Sequence, residues 1–90
     1  MGSYSIEWKK SAVKELKKLD KRVIPETVDA VGKLAFEPFP HGSKKIRGSI
    51  HTYRIRKGIY RIIYSVEHHQ LIIQVITVGH RREIYQKFNP

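Results

Sequence analysis

Tyr53-Arg-Ile-Arg-Lys-Gly-Ile-Tyr-Arg-Ile-Ile-Tyr64 reads as two strands meeting at a tight turn. The expected loop is Lys57-Gly58, although Lys is a weaker first turn residue than Asn or Asp. Counting outward from that loop sets Arg56 against Ile59, Ile55 against Tyr60, and Arg54 against Arg61. Side chains alternate across a strand, so Tyr53, Ile55, Tyr60, Ile62 and Tyr64 share one face, and Arg54, Arg56 and Arg61 share the other. Like charges directly opposite in a sheet are destabilising. Stability alone gives no reason for an Arg–Arg pair, so an anion is expected over the arginine face.

The charge distribution points the same way. The 90-residue chain carries a formal net charge of +10. Residues 1–40 hold 8 Lys/Arg and 6 Asp/Glu, a net of +2, whereas residues 41–90 hold 10 Lys/Arg and 2 Asp/Glu, a net of +8, and all 5 histidines. The first part reads as scaffold and the second as an anion-binding surface, with a merely solvated basic surface as the plainer alternative. The length suits one small domain over residues 1–90 with a modest core. Met1-Gly2-Ser3 has the look of a cloning remnant. The lack of cysteine removes disulfides and thiolate chemistry and fits a reducing cytosol. No apolar run approaches the roughly 20 residues of a membrane span, so a cytoplasmic protein without a membrane partner is expected.

Working outward from the hairpin, Tyr4-Ser-Ile-Glu-Trp8 alternates as a short first strand, with Trp8 in the core. Ser11 is positioned to cap a helix whose apolar stripe is Ala12, Leu16, Leu19 and Val23. Lys9, Lys10, Lys14, Lys17, Lys18 and Lys21 cover its other sides, either as a solvated face or as a nucleic-acid contact. Pro25 suits the first turn of a second helix that buries Val28, Val31, Leu34 and Ala35. Gly32 inside it costs about 1 kcal/mol relative to Ala, which close packing against the first helix would explain. Glu37-Pro-Phe-Pro-His-Gly-Ser43 is a loop, and Gly48 permits a turn or bulge. Leu71–Val78 is apolar on both sides and belongs inside the sheet. His68 and His69 fall at a turn tip, where a metal pair is the weaker reading. Gly79 ends the strand, and the remainder forms a short helix or tail. The expected fold is α+β, in the order β-α-α-β-β-β, with an N-terminal helical hairpin on one face of a mainly antiparallel sheet and an open polar face opposite.

The composition of that polar face limits its chemistry. The basic half has only Glu67 and Glu83 as acids, which rules out a two-metal nuclease site. No Gly-x-Ser-x-Gly elbow or glycine-rich phosphate loop appears. Arg, His and Tyr remain. They suit metal-free, cofactor-free RNA cleavage in which the 2′-hydroxyl attacks the adjacent phosphate: arginines stabilise the charge on phosphorus and an acid protonates the leaving oxygen. Plain nucleic-acid binding uses the same residues.

The hairpin, the upstream Lys45-Ile-Arg-Gly48 and the ending Val78-Gly-His-Arg-Arg-Glu-Ile-Tyr85 together resemble the RelE/ParE toxin superfamily over nearly the whole chain, with the RelE-like branch the nearer fit. That resemblance implies a ribosome-dependent mRNA endoribonuclease that acts in the ribosomal A site. It also implies neutralisation by a cognate antitoxin, with operator DNA contacted only through the antitoxin complex. The implied catalytic residues are Arg54 and Arg56 of the second strand, Arg61 of the Gly-x-Tyr-Arg motif, Arg81 after the Val-Gly-x step, and Tyr85, which would stack on a base. Lys44, Lys45, Arg47, Lys57 and Arg82 would add RNA-phosphate contacts. The best-known members carry lysines where this chain has Arg54 and Arg56. Arginine is not deprotonated in proteins, so these two are limited to binding and charge stabilisation. His80 then becomes the candidate for proton transfer, with an ordinary strand-end histidine as its alternative. A ParE-like inhibitor of a type II topoisomerase and a non-enzymatic basic nucleic-acid-binding domain remain as rival readings.

Overall fold

The hairpin turns one residue later than its sequence suggests. In the computed structural model, which describes residues 3–80, the pairs are Lys57–Tyr60, Arg56–Arg61, Ile55–Ile62, Arg54–Ile63 and Tyr53–Tyr64. The loop is therefore Gly58-Ile59. Gly58 has φ +62°, while Ile59 stays out of the left-handed region. Glycine at the first central position with φ > 0 is the requirement of a type II′ turn, which Lys57 does not meet. Moving the turn by one residue shifts every pairing but keeps both faces intact. The like-charge pair survives with a different member: Arg61 stands opposite Arg56, not Arg54.

Five strands and two helices follow the order β1 (Ser5–Trp8), α1 (Lys10–Lys17), α2 (Ile24–Lys33), β2 (Lys44–Lys45), β3 (Thr52–Lys57), β4 (Tyr60–Glu67) and β5 (Ile72–His80). The sheet order is β1-β5-β4-β3-β2. β1 runs parallel to β5 and the other neighbours are antiparallel, so the sheet is mixed. The α+β class and the interior position of β5 match the sequence reading, and β2 is an additional short strand. β5 does not end at Gly79 but pairs through His80. The helix or tail expected after it lies outside the described residues.

The main core forms where Ile55, Ile62, Tyr64, Val66, Ile73, Val75 and Val78 meet Ala12, Val31 and Leu34 of the helical layer. Trp8 packs against it half-buried, as expected of a core residue. α1 rests chiefly on β5 and α2 on β3, so each helix finds its main partner in the sheet. Several helix expectations change. Ser11 lies inside α1 and makes no cap; the N-cap is Lys9, without a side-chain cap. Val28 is 46% exposed and Thr27 is buried instead. The Thr27 hydroxyl donates to the Val23 carbonyl at 2.9 Å, which satisfies it locally and lets it enter the core. A Cβ on Gly32 would meet nothing within 4 Å, so close helix packing does not explain that glycine. Pro25 sits in the first turn of α2 as expected. Gly48, with φ +82°, makes the turn after β2. His68 and His69 occupy the exposed β4–β5 turn, where the Tyr4 hydroxyl lies 2.9 Å from His68 Nδ1. Among the described residues no helix is long and apolar enough to cross a membrane.

A β-bulge between β4 and β5 decides which side chains of β5 reach the core. The register slips between Ile63–Thr77 and Tyr64–Val75, leaving Ile76 as the extra residue. Strict alternation would send Val78 and Val75 to opposite faces. The bulge lets both point into the core. It falls where β1 ends, since Trp8 pairs with Val75 and the Lys9 N–H donates to the Val75 carbonyl. Past that point Glu15 of α1 takes over the outer edge of β5. Its Oε1 accepts from the Thr77 hydroxyl at 2.7 Å and from the Val78 N–H at 3.3 Å.

Candidate nucleic-acid interface

β3 and β4 set the arginines on the side of the sheet away from the helices. Arg54, Arg56 and Arg61 alternate there with the core residues Tyr53, Ile55 and Ile62. Lys44 of β2 stands directly opposite Arg54 and extends the cationic row toward the edge. The three arginines differ in setting. Arg61 is 2% exposed, Arg54 is half-buried and Arg56 is open to solvent. On the far side of Arg61, the β5 partner is Gly79, which puts no side chain into the row. A buried guanidinium thus stands across from a solvent-exposed one, beside a position with no side chain. Arginine binds phosphate through two parallel donors, and a donor held in place by burial loses little freedom when it does so.

The face is not wholly polar, as the sequence reading had it. Ile46, Ile63 and Ile76 form a second, small apolar cluster on it, and Ile63 is fully buried. Ile63 lies opposite Arg54 and two residues along the strand from Arg61. The cluster therefore shares the face of the arginine row, with Ile63 paired to Arg54. Its signal was present in the sequence: Leu71–Val78 is apolar on both sides, so both faces of β5 had to be covered.

The remaining candidates divide. Lys45 and Lys57 pair with Tyr53 and Tyr60, on the helical side of the sheet, and both are exposed. Arg47 is exposed in the turn after β2, where the Thr52 N–H donates to the Ser49 hydroxyl at 2.9 Å. His80 pairs with Tyr60, and their rings meet edge to face at 6.3 Å. Strand alternation puts that pair on the side opposite Arg56 and Arg61, so His80 does not join the arginine row. Arg81, Arg82 and Tyr85 lie outside the described residues.

A cavity of about 430 Å³ opens at the sheet edge between α2, the loop after it and the end of β3, and it shares Lys44 and Arg56 with the arginine row. Leu34 and Ile55 supply its apolar lining, and Lys33, Lys44, Arg56 and Lys57 its cations, with Asp29 and Glu37 among them. Nearby, Tyr64 fixes the loop after α2: its hydroxyl donates to the Pro38 carbonyl at 2.6 Å. Burial pushes its pKa up from 10.0 to about 12, opposed by a hydrogen bond with Ser43 and aided by Tyr53.

Comparison with known proteins agrees with this geometry. The family described as ParE toxin of type II toxin-antitoxin system, parDE, matches residues 6–85. The chain is 29% identical over 85 residues to Toxin RelG of Mycobacterium tuberculosis, covering 93% of this chain and 98% of that one. It is 35% identical over 80 residues to a RelE-like toxin protein of Escherichia coli, covering 87% and 83%. Among solved structures, the RelBE2 toxin–antitoxin complex of M. tuberculosis superposes with a TM-score of 0.78 at 29% identity, covering 90% of this chain and 94% of that one. The match spans β1 to β5, including the hairpin that carries the arginines, and the chain belongs to the RelE/ParE superfamily of type II toxin–antitoxin toxins, in its RelE-like branch.

Proposed function

We propose that this toxin is a ribosome-dependent mRNA endoribonuclease. The observation that carries the reading is the Arg56–Arg61 pair, set directly opposite each other beside Gly79 in a RelE-like chain. In the proposed reaction the 2′-oxygen of the mRNA attacks the neighbouring phosphorus and loses its proton. The P–O5′ bond breaks, leaving a 2′,3′-cyclic phosphate, and the 5′-oxygen takes up a proton. Arg61 and Arg56 stabilise the charge that accumulates on the phosphoryl oxygens, with Arg54 and Lys44 holding the adjoining phosphate. Arg81 and Tyr85 are assigned to the leaving-group side and to base stacking by family resemblance, and Lys45, Arg47, Lys57 and Arg82 to outlying phosphates. Tyr85 ranks ahead of His80 for proton transfer, because the His80 ring meets Tyr60 on the other side of the sheet. The arginines supply no base, so mRNA geometry imposed by the ribosome does much of the remaining work.

A cognate antitoxin is the proposed protein partner, as in the RelBE2 toxin–antitoxin complex. The cavity beside α2, apolar within and mainly cationic at its rim, suits an acidic antitoxin segment that carries an apolar side chain. Contact with operator DNA would come only through that complex, and the cytoplasm is the compartment where ribosomes and mRNA meet.

The test is to map mRNA 5′ ends in a translating extract with wild type, Arg56→Ala and Arg61→Ala. Cuts at ribosome-bound codons that vanish in the variants support the reading. Intact mRNA in an extract whose protein synthesis has stopped would refute it. The ParE description of the family favours a second reading, inhibition of a type II topoisomerase. A supercoiling assay separates the two, and the arginine pair would then be dispensable.

A further inference from the structure

A second cationic surface lies on the opposite side of the sheet from the arginines. Lys9 precedes α1 as its N-cap, Lys10, Lys14 and Lys17 lie within it, and Lys18 is its C-cap; all are exposed. Lys10, Lys14, Lys17 and Lys18 fall at spacings of four, three and one, a single stripe of the helix. The one acid of α1, Glu15, is turned inward to Thr77 and Val78. The ion pairs formed by side chains among the described residues, Arg22–Asp20 and Lys33–Asp29, involve none of these lysines.

The stripe works against the helix that carries it. Like charges at i, i+4 destabilise a helix, and Lys9 and Lys10 oppose the positive end of its dipole, with no acid in the first turn to offset them. α1 has only 8 residues and no side-chain cap, so it has little intrinsic stability to spare. This is the same signature as the Arg56–Arg61 pair: charge retained at a cost to the fold. The surroundings distinguish between partners. None of the exposed large apolar residues, Val28, Phe36, Phe39, Ile50, Ile59 and Leu71, belongs to α1. Protein interfaces have apolar or aromatic centres and are depleted in lysine. A lysine stripe on a helix that exposes no large apolar side chain of its own fits a phosphate backbone.

We infer that the lysine stripe of α1 is a second RNA-docking surface, which holds the phosphate backbone of ribosomal RNA while the arginine face across the sheet engages the strand to be cut. The inference rests on the ribosome-dependent reading for the identity of the RNA. The cut strand on the arginine face leaves the stripe free, because the sheet lies between them.

Lys10→Gln/Lys14→Gln/Lys17→Gln tests this, since Gln matches Lys in helix propensity. Ribosome association is measured by sedimentation at several salt concentrations, beside melting temperature and antitoxin affinity. The slope of log K against log salt is expected to fall by about 2 to 3, and association to weaken on the order of a hundredfold at about 0.1 M salt. The triple Arg variant restores both, antitoxin binding stays unchanged, and the Gln variant melts no lower than wild type because the repulsion along α1 is relieved. A Gln variant that sediments like wild type with the same slope overturns the inference, as does a wild type that does not bind ribosomes. Loss of antitoxin affinity with unchanged ribosome binding assigns the stripe to an acidic protein and overturns it as well. If wild type binds ribosomes through the stripe yet leaves mRNA whole, the docking surface stands and the nuclease reading fails.

Discussion

Replacing Glu15 with Ala removes the group that finishes the edge of β5. The Glu15 carboxylate accepts from the Thr77 hydroxyl at 2.7 Å and the Val78 N–H at 3.3 Å. Both partner residues are buried, with exposures of 3% and 1%. A hydrogen bond to a charged group contributes about 1.5–3 kcal/mol, and the longer bond falls at the weak end. Truncation also leaves two buried donors without this acceptor. The higher helix propensity of Ala offsets only a few tenths of a kcal/mol. The expected net loss is about 3 kcal/mol. In a domain of this size each kcal/mol moves Tm by about 4–8 °C, so Tm falls by about 12–24 °C. Far-UV circular dichroism during heating measures it, with urea unfolding as a second probe. Glu15→Gln keeps an acceptor and recovers part of the loss, whereas Glu7→Ala, on an exposed position of β1, changes little. A Glu15→Ala protein melting within about 3 °C of wild type would show that the carboxylate does not hold the strand.

Arg56→Ala separates function from stability: relief of the cross-strand repulsion adds about 0.2–1 kcal/mol to urea stability, while cleavage on ribosomes falls by about 10²–10³; a variant that is both active and no more stable contradicts the role of the pair. Gly32→Ala raises stability by about 0.5–1 kcal/mol in the same urea assay, because the helix gains propensity and the new methyl meets no neighbour within 4 Å. Tyr64 titrates late. The unfolded chain ionises it near 10.0 and the folded protein at about 12, so its contribution is complete below pH 10 and is lost as pH rises through about 12. Ultraviolet titration of wild type against Tyr64→Phe reads this step directly, and an identical phenolate curve for the two apart from overall amplitude would refute it.

The faces of the hairpin were legible in the sequence because period-2 alternation survives a turn displaced by one residue. Its cross-strand partners were not, since Lys57-Gly58 and Gly58-Ile59 both contain the glycine and only backbone geometry selects between them. Alternation also failed at Ile76, where the bulge inserts a residue that no local motif announces. The burial of Thr27 escaped a reading based on apolar spacing, because its hydroxyl is satisfied within its own helix. The arginines of the site were legible as a cluster, and their unequal burial was not. Exposure is a tertiary property, and even the small apolar patch beside them, Ile46, Ile63 and Ile76, is assembled from two strands and the turn after β2. His80 was grouped with the arginines by its position in the chain, yet its pairing with Tyr60 turns it to the other side.

The shortness of β2 has a consequence for handling the protein. It covers β3 only at Tyr53 and Arg54, so among the described residues the outer edge of β3 from Ile55 to Lys57 has no strand beside it. An uncovered edge is a template on which a second chain can add a strand, and charged side chains are a usual defence against it. Arg56 and Lys57 stand there, exposed. The cations proposed to contact phosphate are therefore also placed to keep copies of the toxin apart. Neutralising both to obtain a harmless variant removes that guard, and such a protein is expected to self-associate at concentrations where the wild type stays monodisperse.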